Sequence, residues 1–223
     1  MKPTVSVGLL LFVIIPREGT CGQLNLEEEV KKYILSYIGT GLVDFSLKDR
    51  PVAGNVPAVS AKVEKLTYES GCEHKQFSAK KECSHYYIWY IYNSTSTPFR
   101  LPVNLTVLHE GQRNNIYNAD INNATLAYWN PQNLSMPLDE KAMDSEVKCH
   151  FSIELSFKGT FVYQVESAQD DKATKGHHYI GRVALNNPKQ LAQRGDEVLV
   201  YNIGGVHIHQ MFCHSTLKPK KPE

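Results

Sequence analysis

His207-Ile208-His209 is the sharpest arrangement of ligand-type side chains in the chain. On an extended strand, positions i and i+2 share a face, so both imidazoles can point the same way. With Gly204-Gly205 read as a two-residue hairpin turn, His209 falls opposite Val200 and His207 opposite Asn202, and His177, His178 or His214 is the candidate third metal ligand. A catalytic zinc needs three protein ligands and an oriented second shell. No H-x-x-x-H or acidic neighbour accompanies the pair, so two partly exposed strand histidines are the ordinary reading and no cofactor is expected.

Arg194-Gly195-Asp196 is a tripeptide that integrins read as an exposed cation and an exposed carboxylate held apart by a flexible glycine. It falls in a polar loop before the last apolar run, where a solvated turn is the competing reading. Five cysteines carry firmer inference. Cys21 lies in a leader-like segment, and the other four, Cys72, Cys83, Cys149 and Cys213, allow three pairings. Cys72 and Cys83 flank a charged loop, which favours a local bridge, with Cys149 and Cys213 stapling strand to strand. Zinc-type C-x2-C pairs are absent, so the cysteines read as structural. Asn93, Asn104, Asn123 and Asn133 each open an N-x-S/T acceptor for N-linked sugar. No G-x-S-x-G, H-E-x-x-H, phosphate-binding glycine loop or paired-carboxylate arrangement is present, and the chain reads as a non-enzyme.

The elements that must hold these residues follow from periodicity. Residues 1–22 read as a secretory signal peptide, with Lys2 as the positive start and Val5 to Ile15 as an apolar run too short to span a membrane. Asn25 caps a helix whose stripe is Val30, Tyr33, Ile34, Tyr37 and Ile38, and Gly39 ends it. After Gly41 the period drops to 2. Residues 85–92 form an unbroken apolar and aromatic run suited to a strand covered on both faces, and Leu101, Val103, Leu105 and Val107 alternate cleanly, turning Asn104 outward. Residues 111–146 are polar enough to read as a long loop holding one short strand, Leu126 to Trp129. The 147–155 alternation, a turn at Lys158-Gly159 with a return strand, a strand from Tyr179 to Leu185, and a hairpin over 198–213 complete the count. The expected fold is mainly β, an antiparallel sandwich or barrel of about nine short strands with one N-terminal helix, in a single domain over 23–217 followed by a basic tail, 218–223.

The chain has 24 Lys+Arg against 23 Asp+Glu, and removing Lys2, Arg17 and Glu18 with the leader makes it neutral. That balance excludes a nucleic-acid binder, and 42% hydrophobic residues exclude a disordered tail. Neutrality leaves shape, aromatic contacts and loops as the means of recognition.

The leader ending Gly19-Thr-Cys-Gly22, the four cysteines, the four sequons and the Tyr-rich strands without a catalytic motif together resemble immunomodulatory glycoproteins from the saliva of blood-feeding ticks, of the immunosuppressant and immunoglobulin-binding kinds. That resemblance implies a secreted protein that occupies an extracellular host partner, an immunoglobulin or a leukocyte surface protein. It transfers no binding residues. The competing expectation is a lipocalin-like barrel carrying a small amine or lipid. No G-x-W opening follows the leader, and Gly39-Thr-Gly41 has no Trp beside it.

Overall fold

The computed structural model describes residues 23–39, 41–51, 56–70, 72, 83–109, 112–130, 145–166 and 173–213. The leader-like segment, the sequon at Asn133, His214 and the basic tail lie outside the described residues. In chain order the strands are β1 (Leu24–Asn25), β2 (Leu42–Ser46), β3 (Ser60–Tyr68), β4 (Cys83–Ile91), β5 (Thr95–Ser96), β6 (Pro102–His109), β7 (Gln112–Asp120), β8 (Leu126–Trp129), β9 (Ser145–Lys158), β10 (Thr160–Glu166), β11 (Ala173–Tyr179), β12 (Leu191–Arg194) and β13 (Val198–Cys213). One helix, α1 (Leu26–Tyr37), follows β1, and a 3-10 helix, Ile180–Leu185, follows β11. The molecule is mainly β, built around a curled antiparallel sheet, with more strands than the nine expected.

The spine is the pair β9 and β13, of 14 and 16 residues. They run antiparallel from Val198 opposite Lys158 to Met211 opposite Ser145. Beyond β9 lies β3; beyond β13 lie β4 and then β8 at one end and β12 at the other. β13 is therefore one continuous strand, and the expected hairpin with its turn at Gly204-Gly205 does not exist. Neither glycine has the positive φ that such a turn needs. Gly205 is required for another reason: a Cβ there would collide with the Tyr90 carbonyl and the Phe151 ring. The true hairpin lies just upstream, joining β12 to β13 through residues 195–197, with Gly195 at φ +65°.

Gly159, at φ +125°, turns the chain after β9, but β10 does not return along β9. It crosses into a second sheet, ordered β11-β10-β2. The expected strand over Tyr179–Leu185 is replaced by β11 and the 3-10 helix. Ile180 and Val183 are wholly buried at a spacing of three, the period of a 3-10 turn. The supposed loop 111–146 contains β7 as well as β8; its residues 131–144 lie outside the described ones. β7 and β6 form a separate two-stranded sheet. Its buried residues Val103, Leu105 and Val107 fall on the side predicted by alternation, which leaves Asn104 exposed.

α1 begins as its sequence dictates. The Asn25 carboxamide oxygen accepts from the backbone N–H groups of Glu27 and Glu28 at 3.0 and 3.2 Å, and Glu27, Glu28 and Glu29 face the positive end of the dipole. Leu26, Val30, Tyr33 and Ile34 are buried, with Tyr33 edge-on to Phe161 of β10 at 6.1 Å. The helix therefore packs on its own second sheet.

The four cysteines pair as Cys72–Cys149 and Cys83–Cys213, correcting the expected pairing. Cys83 and Cys213 are direct register partners of β4 and β13, with Cα atoms 4.1 Å apart. Cys72 follows β3, whose antiparallel course along β9 carries it to Cys149, at a Cα separation of 5.6 Å. Closeness in sequence misleads here because a continuous β13 carries Cys213 the length of the sheet. The loops closed span 77 and 130 positions. In the chain-entropy account a bridge over loops of this size stabilises by about 4–5 kcal/mol. Non-reducing peptide mapping is expected to recover Cys72–Cys149 and Cys83–Cys213 peptides. A Cys83→Ser/Cys213→Ser protein should lose roughly 2–5 kcal/mol in a denaturant titration, and recovery of a Cys72–Cys83 peptide would refute this topology.

Candidate functional site

The run 85–92 separates into two faces once β4 is formed. His85, Tyr87, Trp89 and Ile91 point to the core, while Tyr86, Ile88 and Tyr90 point outward. β13 aligns beside it with His207 opposite Trp89, His209 opposite Tyr87 and Met211 opposite His85. The result is a ladder of stacked rings on the core face. His207 stacks on Trp89 at 4.7 Å and Tyr87 on His209 at 4.3 Å, with Tyr87 also against Trp129 at 5.3 Å. Trp89 touches Tyr117 of β7 at 6.1 Å and donates its indole N–H to the Tyr68 hydroxyl at 3.0 Å. The Tyr68 hydroxyl in turn donates to the Thr106 carbonyl of β6 at 3.5 Å, so the ladder is also the seat of the β6–β7 hairpin.

Three of the nine histidines lie in this layer. His85 and His209 are buried, with Nδ1 and Nε2 3.0 Å apart, a contact that needs one nitrogen protonated and the other bare. His207 Nδ1 donates to the Ile88 carbonyl at 3.2 Å. Burial among Tyr68, Tyr87 and Trp89 pushes its pKa down from 6.5 to about 4, with the Ile88 carbonyl opposing. Burial also raises the Tyr68 hydroxyl to about 12, against the Trp89 hydrogen bond.

The two strand histidines thus share a face, as expected, and each stacks on an aromatic ring of β4. His177 and His178 lie on β11 in the other sheet, where His178 Nδ1 contacts the Tyr33 hydroxyl at 2.9 Å. Burial, then Arg182 and His177, lower the His178 pKa. Among the described residues no three His, Cys, Asp or Glu side chains gather to hold a metal ion. His85 was hidden within the aromatic run; its signal was the period-2 position shared with Tyr87 and Trp89.

Arg194-Gly195-Asp196 forms the β12–β13 turn, and both charges have intramolecular partners. Arg194 donates to Glu154 at 3.0 Å; Asp196 accepts from Arg182 at 3.1 Å and Gln193 at 3.0 Å. The Asp196 carbonyl lies where a side chain on Gly181 would sit, which ties the turn to the 3-10 helix. An integrin would have to compete with these partners for both charges.

Two surface features remain. A cleft of about 590 Å³ on the β11-β10-β2 sheet has a mixed lining, with Phe45, Pro51, Val162 and Tyr163 beside the charged Asp44, Asp49, Arg50 and Lys175. On the outer face of β13-β4-β8, Ile88, Val206 and Ile208 are buried, with Tyr128 packed against them. The exposed Tyr90 and Leu126 are register partners beside them, and exposed Tyr92 follows Ile91.

The fold is that of a β-rich protein organised on a curled antiparallel sheet. No family model matches the chain, and no curated protein matches it in sequence. Solved structures share its architecture. A chain of the Cry23Aa1 and Cry37Aa1 binary protein complex superposes with a TM-score of 0.52 at 11% identity, covering 86% of both chains. A non-toxic crystal protein from Bacillus thuringiensis superposes with a TM-score of 0.50 at 9% identity, covering 86% of this chain and 94% of that one. At such identities the likeness is one of fold.

The His207 geometry has a direct thermodynamic consequence. Its imidazole binds a proton near pH 6.5 when unfolded but only near 4 when folded, so unfolding takes up a proton between those values. The stabilisation from its neutral form is complete above pH 6.5 and is lost as pH falls towards 4, roughly 3–4 kcal/mol in all. Urea titrations from pH 8 to 4 should show this decline, and His207→Phe, which keeps a stacked ring, should flatten it. An equal slope in both proteins would rule His207 out as the source.

Proposed function

We propose that the protein is a secreted glycoprotein that acts by occupying an extracellular protein partner, with the outer face of β4 and β8 as its contact surface. The observation that carries this reading is the distribution of aromatic side chains. Trp89, Tyr87, Phe157 and Phe161 fill the inside, while Tyr90 and Leu126 on paired strands are 41% and 48% exposed and Tyr92, just past β4, is 48% exposed. Aromatic groups ordered in advance lose little entropy on docking, which is why tyrosine is enriched among residues that dominate interface energies. One fold neighbour is itself part of a binary protein complex. An immunoglobulin or a leukocyte surface protein is the partner class implied by the salivary format, and suppression of an immune response by occupancy is the corresponding role.

Immobilised protein is expected to retain a specific component of host serum or leukocyte membranes. A Tyr90→Ser/Tyr92→Ser/Leu126→Ser variant with an unchanged melting temperature should weaken that binding at least tenfold, about 1.4 kcal/mol. Equal retention by both proteins would remove this face from consideration. Saturable quenching of Trp89 or Trp129 fluorescence by histamine, serotonin or a fatty acid would favour the carrier.

A further inference from the structure

We infer that in the folded, secreted protein Asn104 and Asn123 carry N-linked sugar, whereas Asn93, despite its intact sequon, is sugar-free because only chains with an unmodified Asn93 carboxamide can close the sheet. The inference rests on the secreted reading above, since only that route exposes the chain to the glycosylation machinery.

The three acceptors differ in what their amides already do. The Asn93 Nδ2 donates to the Asn202 carbonyl at 2.7 Å, and its Oδ1 accepts from the Gly204 N–H at 2.5 Å. Where backbone pairing of β4 with β13 ends, at Ile91 opposite Gly205, the Asn93 amide takes over as a side-chain substitute for the next rung. Tyr92 N–H to the Gly204 carbonyl at 2.9 Å and Tyr201 hydroxyl to the Asn93 carbonyl at 3.1 Å complete the junction. Ser94 and Thr95 of the same sequon are buried, and the Thr95 hydroxyl donates to the Leu24 carbonyl at 3.1 Å.

Asn104 sits on the exposed side of β6 and only accepts, from Asn118 Nδ2 at 3.0 Å. Asn123 is exposed in a turn at φ 56° and accepts from Gln23 Nε2 at 2.5 Å. At both positions the oxygen is engaged, and among the described residues the nitrogen has no hydrogen-bond partner. Thr106 and Thr125 of those sequons are exposed.

Glycosylation replaces one Nδ2–H bond by an Nδ2–C1 bond. The sugar arrives from a lipid-linked oligosaccharide diphosphate, the lipid diphosphate leaves, and the amide loses a proton. The product is a planar secondary amide, trans like a peptide, whose remaining N–H points away from its oxygen. It cannot keep both bonds of Asn93 to β13. Transfer precedes folding, so burial of Thr95 does not prevent it; chains modified at Asn93 instead fail to close this junction and drop out of the folded, secreted pool. The sugar-free junction also leaves Tyr92 and Tyr90 uncovered from that side.

The test is glycopeptide mass spectrometry on full-length protein secreted from a eukaryotic cell, with enzymatic release of the sugars in heavy-oxygen water. Asn104 and Asn123 are expected to carry the label and Asn93 none. Thr95→Val, which destroys the sequon but keeps Asn93, should leave electrophoretic mobility unchanged, whereas Asn104→Gln and Asn123→Gln should each shift it. Asn93→Asp, which sets a carboxylate oxygen against the Asn202 carbonyl, should lower the melting temperature by several degrees. Label at Asn93 in folded protein, or its absence from Asn104 and Asn123 in secreted protein, overturns the inference. Retention of the chain inside the cell overturns the secreted reading itself.

Discussion

Everything in this molecule hangs on the uninterrupted pairing of β13. A strand of 16 residues collects β9 along one edge and β12 and β4 along the other, and its contacts decide which cysteines meet and which rings stack. That continuity depends on Gly205, where any side chain would have to occupy the space of the Phe151 ring and the Tyr90 carbonyl. A larger residue would have to displace the Phe151 ring of β9 and the Tyr90 backbone of β4. Register on both sides would suffer, since pairing of β13 with β4 and with β9 passes through this residue.

The aromatic and histidine ladder follows from the same register. Because β4 and β13 lie antiparallel with His207 opposite Trp89, imidazoles and large rings alternate on one face and give the β6–β7 hairpin a polar as well as an apolar seat. Tyr68, Trp89 and Thr106 form a hydrogen-bonded chain from sheet to hairpin. Such a layer is stable while the His207 imidazole is neutral and becomes costly when it charges, because desolvation disfavours a buried cation. On the opposite face of the sheet the same alternation sets Tyr90 and Leu126 side by side in solvent. The two faces of one aromatic run therefore differ, one packed in the core and the other ending in the exposed Tyr90.

Much of this was legible from local pattern. The cap at Asn25, the outward position of Asn104 and the alternation of β6 and β9 each depend on neighbours within a few residues, and the even number of cysteines outside the leader-like segment points to pairing. Cysteine connectivity was not legible, because Cys83 and Cys213 meet only through a pairing 130 positions apart in sequence. β7 was missed because its residues are mostly polar and its order comes from pairing with β6. The glycine pair was misread as a turn because a sequence cannot separate a glycine needed for positive φ from one needed for close approach.

The sequence by itself determined that the chain is β-rich, where its helix begins, which asparagines are candidate acceptors and which cysteines are available to pair. Those properties are set by periodicity and side-chain chemistry along a short stretch of chain. Tertiary structure alone decided that His209 meets His85, that Arg194 and Asp196 are tied to Glu154 and Arg182, and that the Asn93 amide belongs to β13. Each of these joins residues far apart in the chain, and only the register of long antiparallel strands determines which of them come within hydrogen-bonding reach.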